Sequence, residues 1–566
     1  MSPWRSTVPY MTRPGPRRPA VSLLCAGAAV ALAWAGPAQP AATAAAGPAP
    51  AADGRRADPI VSGRLDLGPA DLPETRTTST LQPGVTLTRI TRGGADDSLF
   101  WTLEVQIPDA SSPDPDAPAK ALSGAADARE ERERLRAEGF DARVEAVARP
   151  RAADVPPGTL GYRVRVGSWP TRAEADRERA RLTAAGEHAS SVFTGWDGDR
   201  AARGPWHVDV VTVDPRRFDG RLDATFGPDL ERRETTSALA RAAGATVGVN
   251  AGFFVLDPAA GAPGDPAGVG VYDGKVLSEP VGERPALVLD ERGTSSVERL
   301  SWRGSALIGG RSVPLDGVNR VPGLIRNCGG DRTDRPTSQP LHDVTCTDDS
   351  EIVAFTPEYG ARTPEGPGRE VVLDAHQRVV SVAAVRGTAL APGTTSLQAT
   401  GDLADRLAAV RVGDRVRVRT DLADAATGRP RPVSRHTTIV NGGPQLVHDG
   451  REEITQRRDG MDHADDPSWA YGWVVKRNPR TLAGTDRYGR TVLVSVDGRT
   501  TGDLGLSIPE AADVARSLGL VEAVNLDGGG STAMAVGGEV IGHPSDATGE
   551  RPVGDAVLVL PPVRRP

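Results

Sequence analysis

Residues 507–532 read Ser-Ile-Pro-Glu-Ala-Ala-Asp-Val-Ala-Arg-Ser-Leu-Gly-Leu-Val-Glu-Ala-Val-Asn-Leu-Asp-Gly-Gly-Gly-Ser-Thr. Ala512, Ala515 and Leu518 fall at helical spacing behind Ser507, a residue type that caps helix N-termini, and Gly519 supplies the stop. The chain then passes straight into the apolar run 521–526 and out into Asp527 and three glycines. No other stretch from Trp206 onward reads as convincingly helical. Strand-like runs at 208–213, 246–249, 286–289, 437–440, 491–496 and 523–526 alternate with Gly-rich turns instead. The expectation is one β-rich α+β domain over 205–562, in which the rhythm of 370–425 reads as an inserted β subdomain.

Working outward, an internal repeat precedes this domain. Its first half holds strand 101–107, helix 125–137 and strand 140–147; its second holds strand 162–166, helix 172–185 and strand 188–193. Each helix carries Leu four residues before a Gly (Leu135/Gly139, Leu182/Gly186), a spacing that suits a left-handed C-terminal cap. Thr171 with Glu174 forms a capping box. Two β-α-β halves predict a ferredoxin-like βαββαβ module over 99–197 with one open sheet face. A Pro/Asp-rich insertion interrupts the first half at 111–118.

The N-terminus has the order of a secretory signal over 1–46: Arg13, Arg17 and Arg18, the apolar stretch 21–34, then Ala44-Ala45-Ala46. That stretch is too short for a membrane span, so no stable span is expected after signal removal. Residues 47–98 read as leader and linker, with one strand near 81–90. Loss of the signal removes Cys25 and leaves Cys328 and Cys346, an even count that in an exported chain suggests one disulfide. There are 65 glycines and 48 prolines among 566 residues, one in five, yet the recurring Val/Leu/Ile runs exclude wholesale disorder. Nothing in the charge balance, net −7, suggests nucleic-acid binding, which needs a basic face.

Four islands place polar groups at the ends of apolar runs, where sites are usually built. They are Asn250-Ala251-Gly252-Phe253-Phe254, Asn478-Pro479-Arg480-Thr481, Asp497-Gly498-Arg499, and Asn525-Leu526-Asp527-Gly528-Gly529-Gly530-Ser531-Thr532. A triple glycine permits close backbone approach to a ligand, and consecutive amides can cradle an anion. Taken alone, such a stretch is an ordinary turn, and no Gly-Lys-Ser/Thr follows that would make it a nucleotide loop.

In this order the islands, together with Asn441-Gly442-Gly443-Pro444, Gly505-Leu506-Ser507, His543-Pro544-Ser545 and Arg551-Pro552-Val553, resemble the phosphodiester glycosidase family. The repeat resembles the SPOR domain, a peptidoglycan-binding module, most clearly at Val166-Gly167-Ser168-Trp169. The resemblance implies an exported hydrolase of sugar–O–phosphate linkages, secreted or wall-associated, whose partners are peptidoglycan and a glycan or sugar-phosphate polymer. Breaking C1–O develops oxocarbenium character on the sugar. The expected carboxylates are therefore Asp527 and Asp497, as nucleophile or base. Arg480 is the expected phosphate clamp. The amides of Gly528, Gly529 and Gly530 would add electrostatic stabilisation, and Asn250, Thr481 and Ser531 would hold substrate oxygens.

Each assignment has a rival. Arg480 could pair with Asp497, Asp527 could cap its own loop through an Asx-turn, Asn250 could satisfy a neighbouring turn, and Phe253 and Phe254 could be core. His463 reads as part of a solvated acidic loop. No spacing demands a catalytic metal and no cofactor is required, although the Asp-rich loops would suit a structural Ca2+. Two other functions use the same features: a non-enzymatic envelope protein that binds glycan or anionic polymer, and an exopolysaccharide-biosynthesis accessory.

Overall fold

A computed structural model describes residues 63–106, 119–198, 201–326, 335–336, 344–464 and 466–562. All belong to one compact unit, Pro59–Pro566. The fold is mixed and strand-rich, an α+β arrangement. Its centre is an eight-stranded antiparallel sheet: β1 (Glu74–Gln82), β2 (Val85–Arg92), β7 (Trp206–Val213), then Thr491–Val496, Arg480–Asp486, Leu520–Asn525, Gln445–His448 and Arg451–Glu452. The central strands are apolar on both faces, which is why they read as continuous Val/Leu runs. Val492, Val494 and Val496 join one core, and Leu493 points into another.

Helix Ile508–Ser517 lies on the first face. It is capped by Ser507 and Glu510 in a reciprocal box and buries Ala511, Ala512, Val514 and Ala515. On the second face, the core includes residues of a five-stranded sheet (Glu539–Val540, Met534–Val536, Val247–Asn250, Ala556–Leu560, Arg221–Thr225) and of a further sheet containing Pro285–Asp290 and Thr437–Asn441.

Two boundaries differ from expectation. The stretch 47–98, expected as leader and linker with one strand, contributes a hairpin, β1–β2, to the central sheet. β2 pairs with β7 along its whole length, from Val85↔Val213 to Arg92↔Trp206. The repeat is thus inserted between two adjacent strands of one sheet. The subdomain expected at 370–425 starts much earlier. Its sheet has the order Gly317–Val318, Ile352–Phe355, Thr395–Ala399, Gly366–Leu373, Val379–Arg386, and its core reaches back to Ala306. Val416–Asp424 pairs instead with the fourteen-residue strand Ser295–Ile308. That strand carries the chain into the subdomain with no Pro to mark the crossing.

Within the inserted module β3 (Trp101–Val105), α1 (Ala125–Ala137), β4 (Ala142–Arg149), β5 (Gly158–Trp169), α2 (Arg172–Ala184) and β6 (Ala189–Phe193) form a sheet of order β4-β5-β3-β6. Gly139 and Gly186 stand at φ of +87° and +95° after the helices. The Thr171/Glu174 box is present. The helices bury only Ala128, Leu135, Ala175 and Leu182, which explains their charged sequence. The insertion at 111–118 and the signal stretch lie outside the described residues. Cys346 is buried, but Cys328 also lies outside them, and so does the expected disulfide. No helix among the described residues is long and apolar enough to cross a membrane.

Candidate functional site

Strand Arg480–Asp486 lies between Thr491–Val496 and Leu520–Asn525 and runs antiparallel to both. Its start therefore sits beside both their ends, with Arg480 opposite Val496 and Leu482 opposite Asn525. The segment Asn478-Pro479-Arg480 is flanked by Asp497 on one side and Asp527 on the other, two strand spacings or roughly 10 Å of backbone apart. The neighbouring five-stranded sheet brings Asn250 to the same place. Its Nδ2 donates to the Asp527 carbonyl at 2.8 Å. Its Oδ1 accepts from the Thr481 hydroxyl at 2.6 Å and from Ala533 N–H at 3.1 Å.

The triple-glycine loop is built against arginines. A Cβ on Gly528 would come within 2.9 Å of the Pro479 carbonyl, and one on Gly529 within 2.9 Å of Arg499 Nη2; one on Gly530 would collide with the Arg551 guanidinium. Gly529 also has φ +60°, which favours glycine. Gly528 N–H donates to Asp527 Oδ1 at 2.8 Å, and Gly529 N–H to Pro479 O at 2.9 Å. Arg499 is oriented by Asn478 Oδ1 at 3.1 Å, and Arg551 by Asp546 at 2.7 Å. Asp527 is half-buried.

Arg480 lies beneath this loop, 1% exposed. It is not the bidentate fork the sequence suggested. Nε donates to Leu506 O at 2.9 Å and Nη2 to Trp473 O at 2.6 Å. Among the described residues it forms no ion pair, with Asp497 or any other carboxylate. Burial first, then the nearby Arg499, pushes its pKa down to about 9, so it stays cationic at neutral pH and adds positive potential under the glycines. Asn250 and Thr481 are fully buried, and Ser531 nearly so. The first two brace the loop through those hydrogen bonds. Phe253 is core, and Phe254 packs against a small core of its own.

Asp497 keeps different company. His543 Nδ1 lies 3.2 Å from Asp497 Oδ2 and 3.6 Å from Asp503 Oδ2. His207 Nδ1 holds Asp503 Oδ1 at 2.5 Å. Burial, with Asp503 and Asp209 adding repulsion, pushes the Asp497 carboxyl up to about 6 against the pull of His543. Asp503 is held below the usual range despite its burial, by hydrogen bonds from His207 and Thr500. The sequence flagged Asp497 and the His543 and Arg551 islands but missed His207, Asp503, Arg499 and Arg551 as site residues. Only Arg499 and Arg551, each inside a quoted island, carried a signal. The start of the loop expected to be solvated is packed instead: Met461 and Asp462 are buried, Asp462 pairs with Arg457 at 3.1 Å, and His463 stacks on Trp469 at 5.1 Å.

Two buried carboxylates hold the frame. Glu510 meets Arg477 through Nε and Nη2, at 2.6 Å for the shorter contact, fixing the approach to Asn478. Asp555 accepts from Gly252 N–H at 2.8 Å and Tyr272 OH at 2.7 Å. Burial raises the Asp555 carboxyl to about 6, above its ordinary 3.8, against those two hydrogen bonds. A raised folded pKa means a contribution complete below pH 3.8 and lost as pH rises through about 6. At about 1.4 kcal/mol per pH unit this is on the order of 3 kcal/mol. Asp555→Asn, which still accepts both hydrogen bonds, is expected to flatten the fall in urea midpoint between pH 4 and 6.

The module's second sheet face is not open as expected. Glu104, Arg163 and Arg165 project from it into the domain. Glu104 takes Tyr471 OH at 2.5 Å and Lys476 Nζ at 2.6 Å. Arg165 spans Glu104 at 3.0 Å and Asp197 at 2.6 Å. Beside this contact a cleft of about 940 Å3 remains, lined by Arg143, Glu145 and Arg151 of the module and by Glu452, Pro509 and Glu510 of the domain.

Fold and sequence together define a chain with two family domains. The phosphodiester glycosidase family matches residues 368–560, and the SPOR domain family matches 119–194. The chain carries a phosphodiester glycosidase domain and a SPOR domain. N-acetylglucosamine-1-phosphodiester alpha-N-acetylglucosaminidase of Mus musculus is 31% identical over 116 residues, 20% of this chain and 22% of that one. Its Homo sapiens counterpart is 40% identical over 109 residues, 19% and 21% of the two chains. The chain thus spans about a fifth of the length of these curated relatives. The crystal structure of a "Putative exported protein" from Burkholderia pseudomallei superposes at a TM-score of 0.77, with 32% identity over 88% of this chain and 98% of that one.

Proposed function

We propose that this protein is an exported hydrolase that cleaves sugar-1-phosphate diester linkages in a cell-wall or extracellular polysaccharide, with the SPOR domain holding it on peptidoglycan. The observation that carries the reading is the glycine loop at 528–530, with Arg480 beneath it, Arg499 and Arg551 against it, and the Asp527 carboxylate at its start. Guanidinium groups and the Gly530 amide would take the phosphate, whose departure from C1 they favour by stabilising its charge. Asp527 would act as base, taking a proton from the water that attacks C1, or as nucleophile, forming a glycosyl ester that water then opens; either way the C1–O electron pair would leave with the phosphate. The products are a free reducing sugar and a phosphomonoester. A phosphate is already a good leaving group, so no strong general acid is required.

The test is incubation of purified protein with a panel of synthetic sugar-1-phosphate methyl esters, measuring reducing sugar and phosphomonoester in equal amounts. No release from any member overturns hydrolysis. Retention on purified peptidoglycan without turnover would favour the binding-protein reading. Because the sheet face is docked, glycan would have to enter by the junction cleft, and Arg143→Ala should then weaken retention on peptidoglycan.

A further inference from the structure

We infer that Asp497, Asp503 and His543 form a binding site for a divalent transition-metal ion of the Zn2+ type, braced by His207. This does not depend on the hydrolytic reading. One ligand atom from each of the three residues lies within 4.8 Å of the other two. His543 Nδ1 lies 3.2 Å from one carboxylate and 3.6 Å from the other. Those spacings are close to the ~3.3 Å that separates two ligands of a tetrahedral zinc with bonds of about 2.0–2.1 Å. One imidazole and two carboxylates are a donor set that suits Zn2+.

The surroundings are arranged around those ligands. His207 holds Asp503 from its other oxygen at 2.5 Å, and the Thr500 hydroxyl donates to Oδ2 at 3.0 Å, as the outer partners of metal ligands do. Gly542 makes room for Asp497, since a Cβ there would lie 2.5 Å from its Oδ1. Asp497, Asp503 and Asp209 crowd negative charge into one place, and Arg89 pairs with Asp209 at 3.0 Å. His543 is 68% exposed at its side chain. Its side of the site is therefore open to water or a substrate oxygen as a further ligand.

The test titrates Zn2+ into the full chain after treatment with EDTA, by isothermal titration calorimetry, with Ca2+ as comparison. One Zn2+ per chain is expected, with Ca2+ much weaker. His543→Ala, at an exposed side chain, and Asp503→Asn should abolish that event, and His207→Ala should weaken it by about 10–100-fold. Circular dichroism and the urea midpoint report whether each variant is folded. Absence of binding overturns the inference. So does binding that survives in folded His543→Ala and Asp503→Asn, which would place it elsewhere, for example at His448, Asp449 and Glu522.

Discussion

Replacing Asp527 by Asn is expected to lower release of reducing sugar from a sugar-1-phosphate diester by about 10²–10⁴-fold, the range lost with a positioned acid or base. The urea midpoint should stay close to that of the parent. The substitution separates the two roles the sequence left open. Asn keeps an Oδ1 that can accept the Gly528 N–H, now 2.8 Å from the carboxylate, so the loop retains its cap and the arginines their places. What disappears is the negative charge that would attack C1 or take a proton from water. If Asp527→Asn retains parental turnover, Asp527 only shapes the loop. Asp527→Ala removes both functions and should also lower the unfolding midpoint.

The largest effect on stability is expected from Glu104→Ala. Glu104 is buried at the junction of the two domains and faces Lys476, Arg165 and Arg163, which hold it ionised well below its ordinary range despite the desolvation. Removing it leaves Arg163 and Arg165 with Asp197 and Glu145 and takes away the carboxylate that Lys476 meets at 2.6 Å. Breaking a buried ion pair in this way costs about 3–5 kcal/mol, read as a lowered urea midpoint and faster protease cleavage between the domains. Lys476→Met, which removes a partly exposed partner, should cost less. The depressed pKa of Glu104 also fixes a sign. The stabilisation it provides is present above its ordinary value of 4.5 and is lost progressively as pH falls below it. A midpoint that does not respond to Glu104→Ala would mean the docking does not depend on this ion-pair cluster.

Local signals carried much of the fold. The helix after Ser507 was legible because its cap, its apolar spacing and its terminal glycine agree with one another. The two module helices were legible from Gly139, Gly186 and Thr171 for the same reason. The short helix Thr236–Ala242 was not singled out, because seven residues carry too little periodicity to stand out. At the site, the Asp527 loop was visible because consecutive glycines beside a carboxylate are a local pattern. Arg480 was expected to face a phosphate because its island adjoins an apolar run and its guanidinium suits one. Only the sheet order puts it in the middle strand of three, where its guanidinium meets carbonyls rather than solvent.

By itself, then, the sequence determined most of the elements, their class and the islands of chemistry, each from neighbours within a few residues, and the family resemblance from the order in which the islands follow one another. Tertiary structure alone decided that β1 and β2 belong to the central sheet, that the SPOR sheet face is docked, and that His207, Asp497, Asp503 and His543 meet. Those outcomes depend on strand order across hundreds of residues, and periodicity along the chain says which face a residue takes but not which strand lies beside it.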